Sequence, residues 1–166
     1  QGLEFAHRIQ QATGCRVMAQ GSNAKVARGQ GRLYMERVPY VVDVAVKALE
    51  GTKHMILAGS RKPVTFFAYP NKVQTSVPDD SEIHVLARPE QDIVEALERL
   101  ADALHAPKVP APNHGERPAV PKGALTPESV GAAVGALMPE NAVIADESVT
   151  YGRGFFSNTK ASPPHD

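Results

Sequence analysis

The sequence has a single cysteine, no tryptophan and no excess of charge of either sign. Because one cysteine, Cys15, cannot form an intramolecular disulfide, this composition is typical of the reducing cytoplasm. Eighteen basic residues balance eighteen acidic ones, so no net field draws the protein to nucleic acid or to an anionic membrane. No apolar run approaches the roughly 18 residues that a membrane-spanning helix needs. We therefore expect a cytoplasmic α/β protein with no nucleic-acid or membrane partner.

Helical and strand patterns alternate in the first part of the chain. The helices predicted from apolar spacing are 2–13, 39–49 with Pro39 in its first turn, and 90–105. The buried strands predicted between them are 16–19, 53–58 and 82–87. Because these strands are apolar throughout, we expect a Rossmann-like parallel sheet with helices on both faces.

A proline-rich stretch then changes the character of the chain. Five of the fifteen residues from Pro107 to Pro121 are proline, which predicts a semi-rigid extended linker without regular secondary structure. The predicted organisation is a domain at 1–106, a linker at 107–123 and a second α/β domain at 124–166. The first domain opens on a helix with no strand before it, and the second is short. We expect the first to be incomplete at its N-terminus and the second to be truncated.

The second domain opens with a clear helix signal. Thr126 is a typical N-cap, and Pro127 suits the first helical position. The apolar face of this helix is expected to consist of Val130, Val134 and Leu137. A strand at 141–145 and a further helix at about 148–158 are predicted after it, although two glycines weaken the second helical pattern.

Two glycine-containing stretches are candidate phosphate sites. Gly29-Gln30-Gly31 lies among basic residues, and glycine backbones and arginine side chains both suit phosphate oxygens. These basic residues are Arg16, Lys25, Arg28, Arg32 and Arg37. The second stretch, 59–62, follows a predicted strand at its carboxyl end, where open parallel sheets bind ligands. A solvated loop and a simple turn explain the same residues without a ligand.

The remaining aromatic, imidazole and thiol groups have ordinary structural explanations. Phe66, Phe67 and Tyr69 form a cluster that suits an adenine ring, although core packing is its more frequent role. Cys15 lies at a strand entry and is expected to be an inert buried thiol. The histidines that are isolated in sequence and show no metal-type spacing are His7, His54, His84 and His105.

The segment Asp146-Glu147-Ser148 places two carboxylates and a hydroxyl where a predicted strand meets a loop. Such a cluster suits either contact with a ligand or a helix cap in which a side chain accepts from free amides. Spacing alone leaves both interpretations open.

Longer stretches resemble a known family. The tail LTPESVGAAVGALMPENAVIADESVTYG resembles the opening of the third, diphosphate-binding domain of thiamine-diphosphate-dependent enzymes. The stretches RGQGRLYMERVPY and LAGSRKPVTFFAYPNK resemble the central domain of the acetolactate synthase and benzoylformate decarboxylase branch. The resemblance covers nearly the whole chain and includes the proline-rich connection.

The resemblance implies a parent enzyme of three α/β domains. The first would supply a glutamate that activates thiamine diphosphate, and the central one binds FAD or an adenine nucleotide in some members. The third would hold the diphosphate through Mg²⁺ at a Gly-Asp-Gly…Asn motif. The resemblance also implies a 2-oxo acid substrate, either decarboxylation or carboligation, and a homodimer or homotetramer.

On this chain, the residues that match the cofactor-contacting turn are Glu147, Ser148, Val149 and Thr150. Hydroxyls at this turn would donate to the diphosphate, and Val149 departs from members that have a hydroxyl there. The sequence contains no Gly-Asp-Gly, and the activating glutamate belongs to a domain outside it. We therefore expect no catalytic or metal-binding residue of the parent in this chain, and no activity from the chain alone.

Three interpretations remain open at this point. The first is a segment of a thiamine-diphosphate enzyme. The second is a stand-alone nucleotide-binding module that uses the basic glycine loop and the Phe66-Phe67 pair. The third is a non-catalytic scaffold segment whose exposed faces contact other subunits.

Overall fold

A computed structural model describes residues 1–23, 25–148 and 151–166 of the chain. The helices are α1 (Gly2–Thr13), α2 (Val42–Leu49), α3 (Ile93–Ala103), α4 (Pro127–Leu137) and α5 (Phe155–Asn158), with a 3₁₀ turn at Tyr151–Gly154. The strands are β1 (Met18–Ala19), β2 (Glu36–Arg37), β3 (His54–Ala58) and β4 (Glu82–Ala87). Helices and parallel strands thus occur in one chain, as an α/β fold requires.

The strands form two separate parallel pairs, β1–β2 and β3–β4. The predicted single Rossmann-like sheet is therefore not formed among the described residues. β1 and β2 contain two residues each, so the predicted strand at 16–19 is shortened to its last half. Such short strands offer few backbone hydrogen bonds with which to extend a ladder across a sheet.

Helix α1 ends where its sequence predicts. Gly14 adopts the left-handed conformation, with φ 71°, and its N–H donates to the carbonyl of Gln10. This C-cap favours glycine because a Cβ is strained at positive φ. Ile9 of α1 packs with Ala101 of α3 and with Ala106, which follows that helix, and this cluster is the core between the two helices.

Helices α2 and α3 both begin later than the sequence predicts. α2 begins at Val42, so the prediction that Pro39 lies in its first turn was wrong. α3 begins at Ile93, because the side chain of Asp92 caps it by accepting from the backbone N–H of Glu95. Leu104 lies beyond α3 and is exposed, so it does not continue the apolar face.

The N-terminus of α4 matches the prediction, whereas its packed face does not. Thr126 and Ser129 form a reciprocal capping box, with each side chain accepting from the other residue's backbone N–H. The buried residues of α4 are Gly131 and Gly135, not the predicted apolar face. Leu137, which belonged to that predicted face, is 68% exposed. At Gly131 and Gly135 the helix is thus packed by the close approach of another segment of backbone, and not by large apolar side chains of its own.

The proline-rich stretch 107–121 contains no helix or strand, and that prediction is confirmed. The predicted strand at 141–145 is wrong, since these described residues are not assigned to a strand. The segment nevertheless bonds to the chain end: Ile144 donates to Asp166, and Asp166 donates to Ala142. Some of its backbone groups are therefore paired without a regular ladder.

By their contacts, the residues fall into two units. The first unit comprises Gln1–Asn23 and Met35–Val109. The second comprises Pro110–Asp166 together with residues 25–34 of the described chain. No helix in the described ranges is long and apolar enough to cross a membrane. The predicted boundaries of the parent domains stay predictions.

Candidate functional site

The basic glycine stretch lies in the second unit, against the end of the chain. Arg28 and His165 exchange both backbone N–H···O bonds, at 2.8 and 3.0 Å. Arg28 is 9% exposed; its guanidinium lies 3.4 Å from the ring centroid of Phe156 and donates to that residue's carbonyl. Arg28 therefore has a structural role: it joins two distant segments of the chain.

The two glycines of this stretch meet different surroundings. A Cβ on Gly29 would lie 2.4 Å from the carbonyl oxygen of Pro163 and 2.9 Å from Nδ1 of His165. A Cβ on Gly31 would have Ala111 as its neighbour, at 3.9 Å. Gly29 is thus required because two backbones approach closely here. Close approach at this glycine was predicted, but the partner is a segment of the protein and not a phosphate.

The basic side chains of this stretch also have protein partners. Arg32 donates to the carbonyl of His165 at 2.6 Å and pairs with the Asp166 carboxylate at 3.4 Å. Lys25 pairs with the same carboxylate at 3.0 Å. The hydrogen bond from Lys25, partly opposed by desolvation, lowers the pKa of Asp166. The structure thus favours a structural role over phosphate binding for this stretch.

The carboxylate–hydroxyl turn is exposed and internally bonded. Oδ1 of Asp146 accepts from the backbone N–H of Ser148 at 2.9 Å and from its hydroxyl at 2.5 Å. This is the side-chain-to-amide bond that the capping interpretation predicted. The helical segment that follows begins as a 3₁₀ turn, and not as an α-helix. Gly152 lies against both side chains, and a Cβ there would be 2.0 Å from Oγ of Ser148.

Two of the four residues predicted to contact a cofactor can be placed. Glu147 and Ser148 are both exposed to solvent. Val149 and Thr150 lie outside the described residues. Whether this turn contacts a cofactor stays a prediction.

The first unit contains a pocket of about 320 Å³ near the carboxyl ends of its strands. Gln20 and Gly21 after β1, and Arg61 and Lys62 after β3, contribute to its lining, together with Phe66. Its volume lies at the lower end of the range for small-molecule sites, about 300–1,000 Å³. The second half of the predicted stretch 59–62 thus lines a cavity at the strand ends, where parallel sheets commonly bind ligands.

An exposed aromatic cluster borders this pocket. Phe66 and Phe67 are 68% and 52% exposed, so the expectation that they pack in the core was wrong. The ring of Tyr40 lies 5.6 Å from that of Phe66, and Phe67 meets Tyr69 edge to face at 5.8 Å. Partial desolvation, and then the hydrogen bond with Tyr69, raise the pKa of Tyr40. Aromatic faces are thus available to a ligand in the pocket.

The expectation for Cys15 was wrong, and two histidines that are distant in sequence meet in the structure. Cys15 is a free, exposed thiol and not a buried one. His54 and His84, isolated in sequence, lie on neighbouring strands with their ring nitrogens 3.3 Å apart. Sequence spacing could not show this, because the two imidazoles meet only when β3 and β4 pair.

Comparison with known proteins gives one informative match. The chain is 44% identical over 166 residues to a Mycobacterium tuberculosis protein that carries the provisional name acetolactate synthase large subunit IlvX. The match covers 99% of this chain but 32% of the relative, so the chain spans about a third of that protein's length. No protein-family model matches the chain, and no solved structure does. The similarity supports the acetolactate-synthase-like resemblance seen in the residues.

Proposed function

We propose that this chain is a segment of an acetolactate-synthase-like, thiamine-diphosphate-dependent enzyme that makes or breaks a carbon–carbon bond beside the carbonyl of a 2-oxo acid. The observation that carries the proposal is the 44% identity, which runs over 99% of the chain and not over a short motif. The resemblance of residues 125–152 to the diphosphate-binding domain of thiamine-diphosphate enzymes agrees with this similarity. The parent assembles as a homodimer or homotetramer and acts in the cytoplasm.

The described part of the predicted cofactor turn does not by itself fit a diphosphate. Asp146 and Glu147 bring negative charge, which repels phosphate oxygens. The hydroxyl of Ser148 is already donated to Asp146. One engaged hydroxyl cannot offset the cost of desolvating a diphosphate and ordering the loop, since a charged hydrogen bond contributes about 1.5–3 kcal/mol. We therefore derive no catalytic step from these residues.

We propose that the 166-residue polypeptide alone neither binds thiamine diphosphate tightly nor acts on 2-oxo acids. Calorimetry with thiamine diphosphate and Mg²⁺ tests the first part, and release of carbon dioxide from pyruvate or benzoylformate tests the second. We expect no binding at micromolar concentrations and no turnover. Micromolar binding by the isolated chain would mean that the site lies elsewhere in these residues.

A segment exchange tests the relationship to the parent enzyme. The 166 residues would replace the matching third of the mycobacterial relative, and acetolactate formation would be measured beside the unmodified relative. We expect the chimera to fold and to retain whatever activity the relative has. A chimera that folds but loses the relative's activity would contradict functional equivalence, and an inactive relative would contradict the proposed reaction.

The second candidate function is adenine-nucleotide binding in the first unit. The pocket at the strand ends favours it, because an exposed ring and two cationic side chains, Arg61 and Lys62, line the same cavity. Titration with ADP and with FAD tests it. Phe66→Ala should weaken binding, whereas the matched control Phe67→Ala should not, since Phe67 does not line the pocket. Equal effects of both substitutions, or no binding, would remove this candidate.

A further inference from the structure

We propose that His54, Glu82 and His84 form a binding site for a divalent transition-metal cation, with Zn²⁺ as its reference ion. The site lies in the first unit, on the exposed face of the β3–β4 pair. It is separate from the cofactor turn and goes beyond the proposed function, because it needs no residue of the predicted enzyme site.

The strand pairing brings these three residues to one place. β3 and β4 pair in parallel, with His54 opposite Glu82 and Ile56 opposite His84. Residues two apart on a strand share a face, so Glu82 and His84 project to the same side. His54 joins them from the neighbouring strand. This face is the solvent side of the pair, since the alternate residue Leu57 is 7% exposed and lies in the core.

The distances between the three ligand atoms suit one tetrahedral ion. Nδ1 of His54 lies 3.3 Å from Nε2 of His84 and 3.4 Å from Oε2 of Glu82. Nε2 of His84 lies 3.8 Å from the same carboxylate oxygen. Zinc bonds to nitrogen and oxygen are about 2.0–2.2 Å long, so two tetrahedral ligands lie about 3.3–3.6 Å apart. The three atoms therefore need to move by only a few tenths of an ångström to share an ion.

The surroundings leave room for the ion and for water. The side chains of His54, Glu82 and His84 are 67%, 65% and 46% exposed, so the ion reaches them directly from solvent. The nearby ammonium of Lys53 pairs with the carboxylate of Asp80, which is not one of the three proposed ligands. Three protein ligands leave at least one coordination position for water, as in zinc sites that stay open to a further ligand.

The ligand set indicates which ions are preferred. Imidazole nitrogens suit Zn²⁺, Cu²⁺ and Ni²⁺, whereas Mg²⁺ prefers an oxygen shell. Binding requires neutral imidazoles, so protons compete with the ion as the pH falls. We therefore expect Zn²⁺ to bind at neutral pH in the presence of excess Mg²⁺.

Calorimetry and proton NMR on the untagged chain test the site. We expect one Zn²⁺ per chain at micromolar concentrations, with Mg²⁺ failing to compete. Of the six histidines, only His54 and His84 should show shifted imidazole C2–H signals. His84→Thr keeps a residue that favours strands and should weaken binding by at least about tenfold, because even partners of metal ligands contribute 10–100-fold. Glu82→Gln should weaken it less.

Two controls separate this site from other zinc-binding groups. His105→Asn removes an exposed imidazole elsewhere in the first unit, and asparagine tolerates the positive φ of 50° at that position. Cys15→Ser removes the exposed thiol. Both variants should bind as the unchanged chain does. The proposal would be overturned if the unchanged chain did not bind Zn²⁺, or if His84→Thr or Glu82→Gln bound it equally well. Shifted imidazole signals from other histidines would also overturn it. The NMR experiment uses the unchanged chain, so it can still refute the proposal if His84→Thr misfolds.

Discussion

Replacement of Gly29 by alanine distinguishes a structural glycine from a ligand-binding one. Gly29 has a φ of 99°, in the region that L residues rarely adopt, and an added Cβ would lie 2.4 Å from the carbonyl oxygen of Pro163. Left-handed backbone costs a residue with a Cβ about 1–2 kcal/mol. Overpacking against fixed atoms costs about 1–3 kcal/mol more. Gly29→Ala should therefore lower the free energy of unfolding by about 2–5 kcal/mol.

Gly31→Ala is the matched control for this substitution. Gly31 also has a positive φ, 77°, but its added Cβ would meet only ordinary contact, with Ala111 at 3.9 Å. Both variants share the backbone strain and the reduced entropy of the unfolded chain, so their difference isolates the clash. We expect Gly29→Ala to be less stable than Gly31→Ala by about 1–3 kcal/mol.

Urea unfolding followed by far-ultraviolet circular dichroism measures this difference, and hydrogen exchange in α4 reports the second unit by itself. A difference of about 1 kcal/mol corresponds to about 2–4 °C in the melting temperature of a chain this long. Equal losses in the two variants, or a negligible loss in Gly29→Ala, would refute the close approach of the two backbones. A phosphate-cradle role would instead leave only the loss that Gly31→Ala also shows, and it would weaken ligand binding.

Two further changes test other contacts of the second unit. Gly135→Ala should destabilise by about 1–3 kcal/mol in the same urea assay, because its Cβ would lie 2.3 Å from the Asn158 carbonyl oxygen. The control Gly2→Ala, whose Cβ would lie 3.6 Å from Val94, should be neutral or slightly stabilising. A Gly135→Ala variant at least as stable as the unchanged chain would contradict the close packing. His165 is 1% exposed, and burial lowers its pKa in the folded chain. The unfolded chain therefore takes up a proton at this residue more readily than the folded chain does. The contribution of His165 to the free energy of unfolding is complete above the unfolded pKa of about 6.5 and is lost as the pH falls below it. The free energy of unfolding should fall from pH 7.5 to pH 5.5 by more in the unchanged chain than in His165→Gln. An equal fall in the two proteins would contradict the burial of His165.

Elements with local end signals could be predicted from the sequence. Gly14 ends α1 and Thr126 begins α4 through hydrogen bonds to residues three or four positions away. Such bonds are encoded within a short window, so pattern and capping residues suffice to locate them. The strand at Glu82–Ala87 was also predicted with its observed bounds.

Burial and long-range pairing could not be predicted in the same way. Phe66 and Leu137 are hydrophobic but exposed, whereas Gly131 is buried because another backbone approaches it. Hydrophobicity indicates which side chains gain from burial, but the surface available for packing decides which are buried. His54 and His84 meet because of strand register, which no spacing within either strand contains.

The same argument limits what the sequence says of the candidate sites. The stretch 59–62 was predicted at a strand end, and its last two residues, Arg61 and Lys62, do line a pocket there. The basic stretch was predicted as a phosphate site or a solvated loop, but Arg28 is buried against Phe156. Cationic side chains satisfy backbone carbonyls as readily as phosphates, so charge alone does not identify the partner.

The bond from Arg32 to His165 joins residues 133 positions apart, and this separation affects how the second unit folds. At synthesis rates of about 5–20 residues per second, the earlier segment waits about 7–27 s for its partner to be made. The second unit therefore cannot complete its folding during the first part of synthesis, and closing so long a loop is intrinsically slow. Proteolysis within the proline-rich stretch would also fail to release an intact second unit, because residues 25–34 would remain with the first fragment.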